Sequence, residues 1–124
     1  MKFIKPALTY LFGAFMILGG IAHFTSPEMY LKFLPEFLPR ELINILAGVA
    51  EIAVGIGVFI PRTRSWATLG ILVMMLAFLP LHIIDVFKAD PAIGSHEAAL
   101  IRLPLQFVFI AWAWYINRRE KTPG

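Results

Sequence analysis

The sequence predicts an all-α integral membrane protein, a four-helix bundle that occupies residues 1–124 as a single domain. Hydrophobic residues make up 59% of the chain and charged residues only 15%, which is unlike the composition of a soluble domain. Four apolar stretches are long enough to cross a hydrocarbon core of roughly 30 Å as helices. No charged residue occurs in 7–22 or in 69–81, so these stretches are apolar on every side rather than amphipathic.

The predicted membrane helices cover residues 7–24, 42–60, 66–87 and 100–116. Lys2 and Lys5 before the first stretch are also typical of a secretory signal peptide. The stretch ends in Ala22-His23-Phe24-Thr25, which lacks the small-x-small pattern of a cleavage site. We therefore expect it to be the first membrane helix.

Two connections are expected on the side opposite the termini. Ser26-Pro27-Glu28 is typical of a helix start, and apolar residues recur at helical spacing as far as Leu38. Residues 26–38 are therefore predicted as a short amphipathic segment in the membrane interface, either a simple connector or a lid over the bundle. Asp90-Pro91 and Gly94 predict a polar loop over 88–98.

The basic residues predict the orientation. One side of the membrane would carry Lys2, Lys5, Arg62, Arg64, Arg118, Arg119 and Lys121, against Lys32, Arg40 and Lys88 on the other side. This imbalance favours cytoplasmic termini. The formal charge of +3 is thus a topology signal, and no nucleic-acid partner is expected. The chain has no cysteine, which excludes disulfides and thiolate metal sites made from its own residues.

Polar and small residues share one face in each predicted helix, so all four faces are expected to point inward. These faces contain Gly13, Met16, Gly20 and His23; Asn44, Gly48, Glu51 and Gly55; Met75, Phe78, His82 and Asp85; and Arg102, Gln106, Phe109 and Ala113. Ionisable residues in membrane helices usually face a bundle interior or a wet cavity. Small residues on such faces allow close helix packing.

A ligand pocket is predicted in the outer leaflet, above Phe78, Phe109 and Met75. Its residues would be His23, Glu51, His82, Asp85, Arg102 and Gln106. Arg102 requires an acidic partner, and Asp85 lies at a matching depth. Glu51 would be protonated unless His23 or His82 serves as its partner. For Arg102, a structural lock between helices or an arginine that snorkels to the interface is favoured over a catalytic role.

The histidines allow three kinds of site. His82, Asp85, His23 and Glu51 would form a two-histidine, two-carboxylate metal site, and His23 with His82 would form a pair of haem ligands. We prefer no metal, because such spacings are common by chance. Polar groups beside aromatic rings would instead receive a quinone headgroup or another small amphiphile. No nucleotide loop, nucleophile elbow or HExxH motif is present in the sequence.

Several motifs resemble the DoxX-like family of small four-helix membrane proteins. They are Gly19-Gly20-Ile21-Ala22-His23-Phe24 with Pro27, Phe37-Leu38-Pro39, Ala47-Gly48-Val49-Ala50-Glu51-Ile52-Ala53-Val54-Gly55, and Arg102-Leu103-Pro104-Leu105-Gln106. The resemblance implies a bacterial inner membrane location and an association with redox or quinone-linked systems. Some related proteins look like membrane chaperones or cargo receptors. The resemblance carries over no catalytic residue.

Two functions follow as hypotheses. The first is an accessory binding subunit, linked to a membrane redox partner or a second copy of the chain, that holds a quinone or another small amphiphile and exchanges protons through Glu51 or His82. The second is a non-enzymatic membrane chaperone or assembly factor. A stand-alone enzyme is the least favoured interpretation, because no nucleophile or cofactor motif is visible.

Overall fold

The helices of the computed structural model follow the apolar stretches closely. The structure describes residues 2–118. Arg119 and Lys121, two of the basic residues that predict the orientation, lie outside the described residues. The elements are α1 (Ile4–Thr25), α2 (Glu28–Leu31), α3 (Arg40–Val58), α4 (Arg64–Phe87) and α5 (His96–Asn117). The described part contains no strand, and all of its helices except α2 are long and apolar enough to cross a membrane. The predicted fold class is confirmed.

The helices begin earlier than the apolar stretches, because polar residues form their first turns. Ser95 caps α5 by accepting the backbone N–H of Ala98 at 3.1 Å, so the loop predicted over 88–98 ends at Ser95. Arg40 is the first residue of α3, and its Nε donates to the carbonyl of Leu34 at 2.8 Å. Arg64 begins α4 in the same way, donating to the carbonyl of Val58 at 2.8 Å.

Residues 26–39, the crossing segment, connect α1 to α3. Within the predicted amphipathic segment over 26–38, only Glu28–Leu31 is helical. Proline restricts the residue before it to extended backbone, so Pro35 stops the helix and short turns follow. Phe33 packs edge-on against the His82 ring with centroids 5.2 Å apart, and Lys88 donates to the carbonyl of Lys32 at 2.7 Å. The segment therefore contacts α4 as well as the helices that it connects.

The four long helices pack as two pairs. α1 packs mainly on α3 and α4 mainly on α5, while contact between α3 and α4 joins the pairs. At the α1–α5 seam, the Trp112 indole N–H donates to the carbonyl of Leu8 at 3.1 Å. We call the end with the start of α1 and the end of α5 the terminal end, and the opposite end the crossing end.

The apolar core lies mostly towards the terminal end. It consists of Phe12, Met16, Val58, Ala67, Ile71, Met75, Ala113 and Ile116. Glycines bring α1 and α3 into close contact. A Cβ added to Gly20 would lie 2.8 Å from the carbonyl oxygen of Gly48, and one added to Gly55 would lie 2.8 Å from that of Gly13. The polar side chains that are buried in these helices are thereby held beside one another, nearer the crossing end.

Candidate functional site

A buried group of polar side chains joins α1 to α3. His23 Nδ1 lies 2.6 Å from Asn44 Oδ1, and Asn44 Nδ2 donates to the His23 carbonyl at 2.8 Å. The other ring nitrogen, Nε2, contacts Glu51 Oε2 in an ion-pair geometry. All three residues are buried, with exposed fractions of 5%, 4% and 7% for His23, Asn44 and Glu51.

The hydrogen-bond pattern fixes where the protons lie. Asn44 uses its NH₂ group for the His23 carbonyl, so its Oδ1 must accept and His23 Nδ1 must carry a proton. One further proton then lies between His23 Nε2 and Glu51 Oε2, whichever atom holds it. The three side chains thus lie in series, with hydrogen bonds between Asn44 and His23 and an ion-pair contact between His23 and Glu51.

The second oxygen of Glu51 faces α1 at a glycine. A Cβ built on Gly19 would lie 3.0 Å from Glu51 Oε1, with no other atom of the described chain outside its own turn within 4 Å. The missing side chain leaves a notch in α1. The Gly19 notch leads to the carboxylate oxygen that His23 does not use.

Tyr30 of α2 covers this group from the crossing end. Its ring stacks on the His23 ring at a centroid distance of 3.7 Å and an angle of 16°. Its hydroxyl donates a long hydrogen bond of 3.4 Å to the carbonyl of Gly19. Burial, together with the negative charge of Glu51, raises the pKa of the Tyr30 hydroxyl above its ordinary value. A neutral phenol therefore stands over the Gly19 notch.

The local sequence explains why these groups meet. Asn44 and Glu51 are separated by about two helical turns, so they lie on the same face of α3. Gly48 lies between them, and a Cβ there would come within 2.8 Å of His23 Cβ. The glycine therefore admits His23 between the amide and the carboxylate.

Asp85 and Arg102 do not form the predicted ion pair, so this expectation is wrong. The Asp85 carboxylate is 1% exposed and accepts the backbone N–H groups of Ala92 at 2.6 Å and Ile93 at 3.3 Å. These amides belong to the loop after α4, and they hold the carboxylate at the end of its own helix. The Arg102 guanidinium instead lies over the Phe109 ring, 5.0 Å from its centroid.

His82 and Gln106 serve the α4–α5 pair differently. His82 is half-buried and packs against Phe33. Gln106 is fully buried and donates to the Met75 carbonyl at 2.6 Å, which ties α5 to α4. Two buried atoms in this region, Arg102 Nη1 and Gln106 Oε1, have no hydrogen-bond partner in the described part of the chain.

The alternative sites of the sequence analysis fit this geometry poorly. Both ring nitrogens of His23 are engaged by Asn44 and Glu51, so neither points to an axial haem position. The four residues considered for a metal site divide into His23 with Glu51 and His82 with Asp85. Within residues 2–118, no three His, Asp or Glu side chains are grouped as metal ligands.

The six predicted pocket residues therefore fall into two groups. His23 and Glu51 belong to the α1–α3 pair, whereas His82, Asp85, Arg102 and Gln106 belong to the α4–α5 pair. Sequence reasoning placed Asn44 on the inward face but did not include it in the site, and it missed Tyr30. The seven-residue spacing of Asn44 and Glu51 was a usable signal, but nothing in the sequence places Tyr30 on His23.

The chain belongs to a family described as a domain of unknown function (DUF8561), whose family model matches residues 12–117. The match covers every residue of the two groups described above. Comparison with curated proteins and with solved structures gave no match. The resemblance to DoxX-like proteins stays a prediction.

Proposed function

We propose that this DUF8561 member is an accessory binding subunit of the membrane that holds a quinone or another small amphiphile at the Gly19 notch. The supporting observation is the unequal use of the Glu51 carboxylate. Oε2 is engaged by His23, while Oε1 lies at the notch. The ligand headgroup would hydrogen-bond to Oε1.

The two protonation states of Glu51 suit two forms of such a ligand. An ionised Glu51 accepts a hydrogen bond at Oε1 from a hydroxyl, such as that of a quinol. A Glu51 that has taken up one further proton at Oε1 donates it to a carbonyl, such as that of a quinone, while Oε2 still accepts from the protonated Nε2 of His23, so this state holds one proton more than the first. His23 and Asn44 hold the carboxylate in place in both states, so one proton can move to or from the ligand without rearrangement.

In this function the chain would bind the ligand and exchange a proton with it. The electrons of any quinone reduction would belong to a membrane redox partner. Lipid-exposed side chains surround the notch, since Leu18 and Ile21 are 63% and 45% exposed. An amphiphile would therefore approach through the bilayer rather than through water.

Ligand-dependent stabilisation tests the proposal. The protein in lipid nanodiscs is titrated with a short-chain benzoquinone and its quinol, and melting temperature is followed from about pH 5 to about pH 8. Wild type should be stabilised by the ligand in a pH-dependent way. Glu51→Gln is nearly isosteric and should keep the fold while it loses the pH dependence. Gly19→Ala should weaken ligand stabilisation at every pH by filling the notch.

Glu41→Gln is the matched control, because it makes the same change in α3 at an exposed position. It should leave the ligand response at the wild-type level. If neither quinone nor quinol stabilises the wild type, the binding proposal fails, and the assembly-factor hypothesis becomes the better one.

The proposed location is the bacterial inner membrane with both termini in the cytoplasm. The chain has no cysteine, so single cysteines can be labelled cleanly. We expect Ser95→Cys to react with an impermeant reagent in spheroplasts and Thr63→Cys to be shielded. The reverse pattern would contradict this orientation.

A further inference from the structure

A cleft with a cationic wall lies at the terminal end, away from the Gly19 notch. Its volume is about 550 Å³, and its wall includes Lys2, Lys5, Thr9, Tyr10 and Arg64. The acidic residues of the described chain lie elsewhere. They are Glu28, Glu36, Glu41 and Glu97 near the crossing end, Glu51 inside the bundle, and Asp85 and Asp90 at the second loop. Within residues 2–118, positive charge at this end therefore has no acidic counterpart.

Arg64 is held rigidly at the cleft. Its Nε donates to the Val58 carbonyl at 2.8 Å, and its guanidinium carbon lies 5.2 Å from the Tyr10 ring centroid. Tyr10 in turn stacks on Phe59 with centroids 5.4 Å apart. The hydrogen bond to Val58 uses one of the five N–H donors of the guanidinium, so the terminal nitrogens remain able to bind an anion.

Lys5, which also lines the cleft, is held by α5 and the residue that follows it. Its ammonium group donates to the carbonyl of Arg118 and lies 5.8 Å from the Tyr115 ring centroid. An ammonium group has three protons, so this contact leaves donors for a second acceptor. Lys2 is exposed beside it and adds a further charge.

The position of the cleft indicates the kind of ligand that it would bind. α1 begins at Ile4 and α4 begins at Arg64, so both helices present their positive dipole ends there. Both starts are ends of candidate membrane spans, which places the cleft at headgroup depth. Basic pockets between membrane helices at that depth suit lipid phosphates.

We infer that this cleft binds the phosphate of an anionic phospholipid, such as phosphatidylglycerol, in the leaflet that faces the termini. Lys5 and Arg64 would contact the phosphate, Lys2 would add attraction at longer range, and the acyl chains would follow the exposed apolar sides of α1 and α4. This site is independent of the proposed function at the Gly19 notch.

Native mass spectrometry and lipid titration of the full chain test the inference. Phosphatidylglycerol is compared with phosphatidylcholine of the same acyl chains, and inorganic phosphate forms a separate arm. Wild type should retain and be stabilised by phosphatidylglycerol in preference to phosphatidylcholine. Each charge removed should weaken phosphatidylglycerol binding about fivefold. We use Lys2→Gln, which breaks no hydrogen bond, and the double variant Lys5→Gln/Arg64→Gln.

The crossing end supplies a matched control. Arg40 donates to the Leu34 carbonyl as Arg64 does to that of Val58, and Lys88 donates to a carbonyl across the bundle as Lys5 does. Arg40→Gln/Lys88→Gln should therefore lose equivalent protein contacts but keep the phosphatidylglycerol preference.

Three results with the two lipids would overturn the inference. They are equal binding of the two lipids by wild type, equal loss of the preference in the two double variants, and unchanged binding in Lys2→Gln together with Lys5→Gln/Arg64→Gln. Inorganic phosphate that binds as tightly as phosphatidylglycerol would also overturn it, because the site would then select a free anion rather than a lipid.

Discussion

The two helix pairs bury polar side chains in different ways. In the α1–α3 pair, His23 is hydrogen-bonded to Asn44 and paired with Glu51, so one imidazole links two polar side chains of the opposite helix. In the α4–α5 pair, Gln106 bonds to the Met75 carbonyl and Thr68 bonds to Asn117 across the interface, while Asp85 bonds to its own loop. Polar side chains thus form one connected group at the first interface, whereas at the second they make separate hydrogen bonds.

The first way to break this comparison is to remove one partner from the α1–α3 group. Glu51→Leu leaves His23 Nε2 buried without its acid and should cost about 3–5 kcal/mol of folding free energy. The double variant His23→Leu/Glu51→Leu should cost less than the sum of the single variants, because no lone charge remains. Reversible unfolding in mixed micelles would measure the four corners of the cycle. Additive single effects would show that the pair is not coupled.

Filling the closest contact between α1 and α3 should have the next largest effect. The Cβ of Gly20→Ala would lie 2.5 Å from Ile52 Cγ1 and 2.8 Å from the Gly48 oxygen, so the helices must separate. We expect a loss of about 1–3 kcal/mol in the same unfolding measurement.

Gly70→Ala is the matched glycine in α4. Its Cβ would meet a side chain only, Val54 Cγ1 at 2.9 Å. The better helix propensity of alanine, worth about 1 kcal/mol, should largely offset that contact. Equal losses for Gly20→Ala and Gly70→Ala would mean that the α1–α3 approach is no tighter than other contacts.

The α4–α5 pair should respond additively to the loss of its charges. Asp85→Leu removes the acceptor for two loop amides and should cost about 1–3 kcal/mol, while Arg102→Met should change stability little. The double variant should equal the sum within about 0.5 kcal/mol. If the double variant were more stable than Asp85→Leu alone, the result would support the ion pair that the sequence predicted.

The smallest expected effect concerns Tyr30, which covers only the first pair. Its pKa is raised in the folded state by burial and by the Glu51 charge, so the unfolded chain loses this proton first as the pH rises. The contribution of Tyr30 to stability is therefore complete below about pH 10 and is lost above it. Tyr30→Phe keeps the stacked ring and should flatten the alkaline decline of the unfolding free energy. An unchanged decline would show that Tyr30 does not titrate differently on folding.

Helix number and inward faces could be predicted because bilayer thickness and helical periodicity act on every residue. His23, Glu51 and Gln106 are buried as their faces required. Helix starts were predicted less well. The apolar pattern misses caps such as Ser95, which extends α5 to His96 at positions that are polar in the sequence.

Which side chains bond to one another was harder to predict than how deep they lie along their helices. Asp85 and Arg102 share a depth, yet the carboxylate bonds to Ala92 and Ile93, because the loop closes back on the end of α4. The depth of a residue depends only on its position along the helix, so it does not show how the following loop folds back. The Tyr30 contact was missed for the same reason. The path of the connection between α1 and α3 sets where the ring lies, and helical periodicity does not describe that path.

The contacts of the α1–α3 group also have a consequence for membrane insertion. His23, Tyr30, Asn44 and Glu51 all lie within the first helical hairpin and the segment that joins its two helices. During synthesis, that hairpin is complete before α4 emerges. Its imidazole, amide and carboxylate can therefore enter the lipid already bonded to one another, which lowers the cost of moving polar groups out of water. The contacts that hold His23 in the finished protein would thus also let half of the bundle insert as a unit.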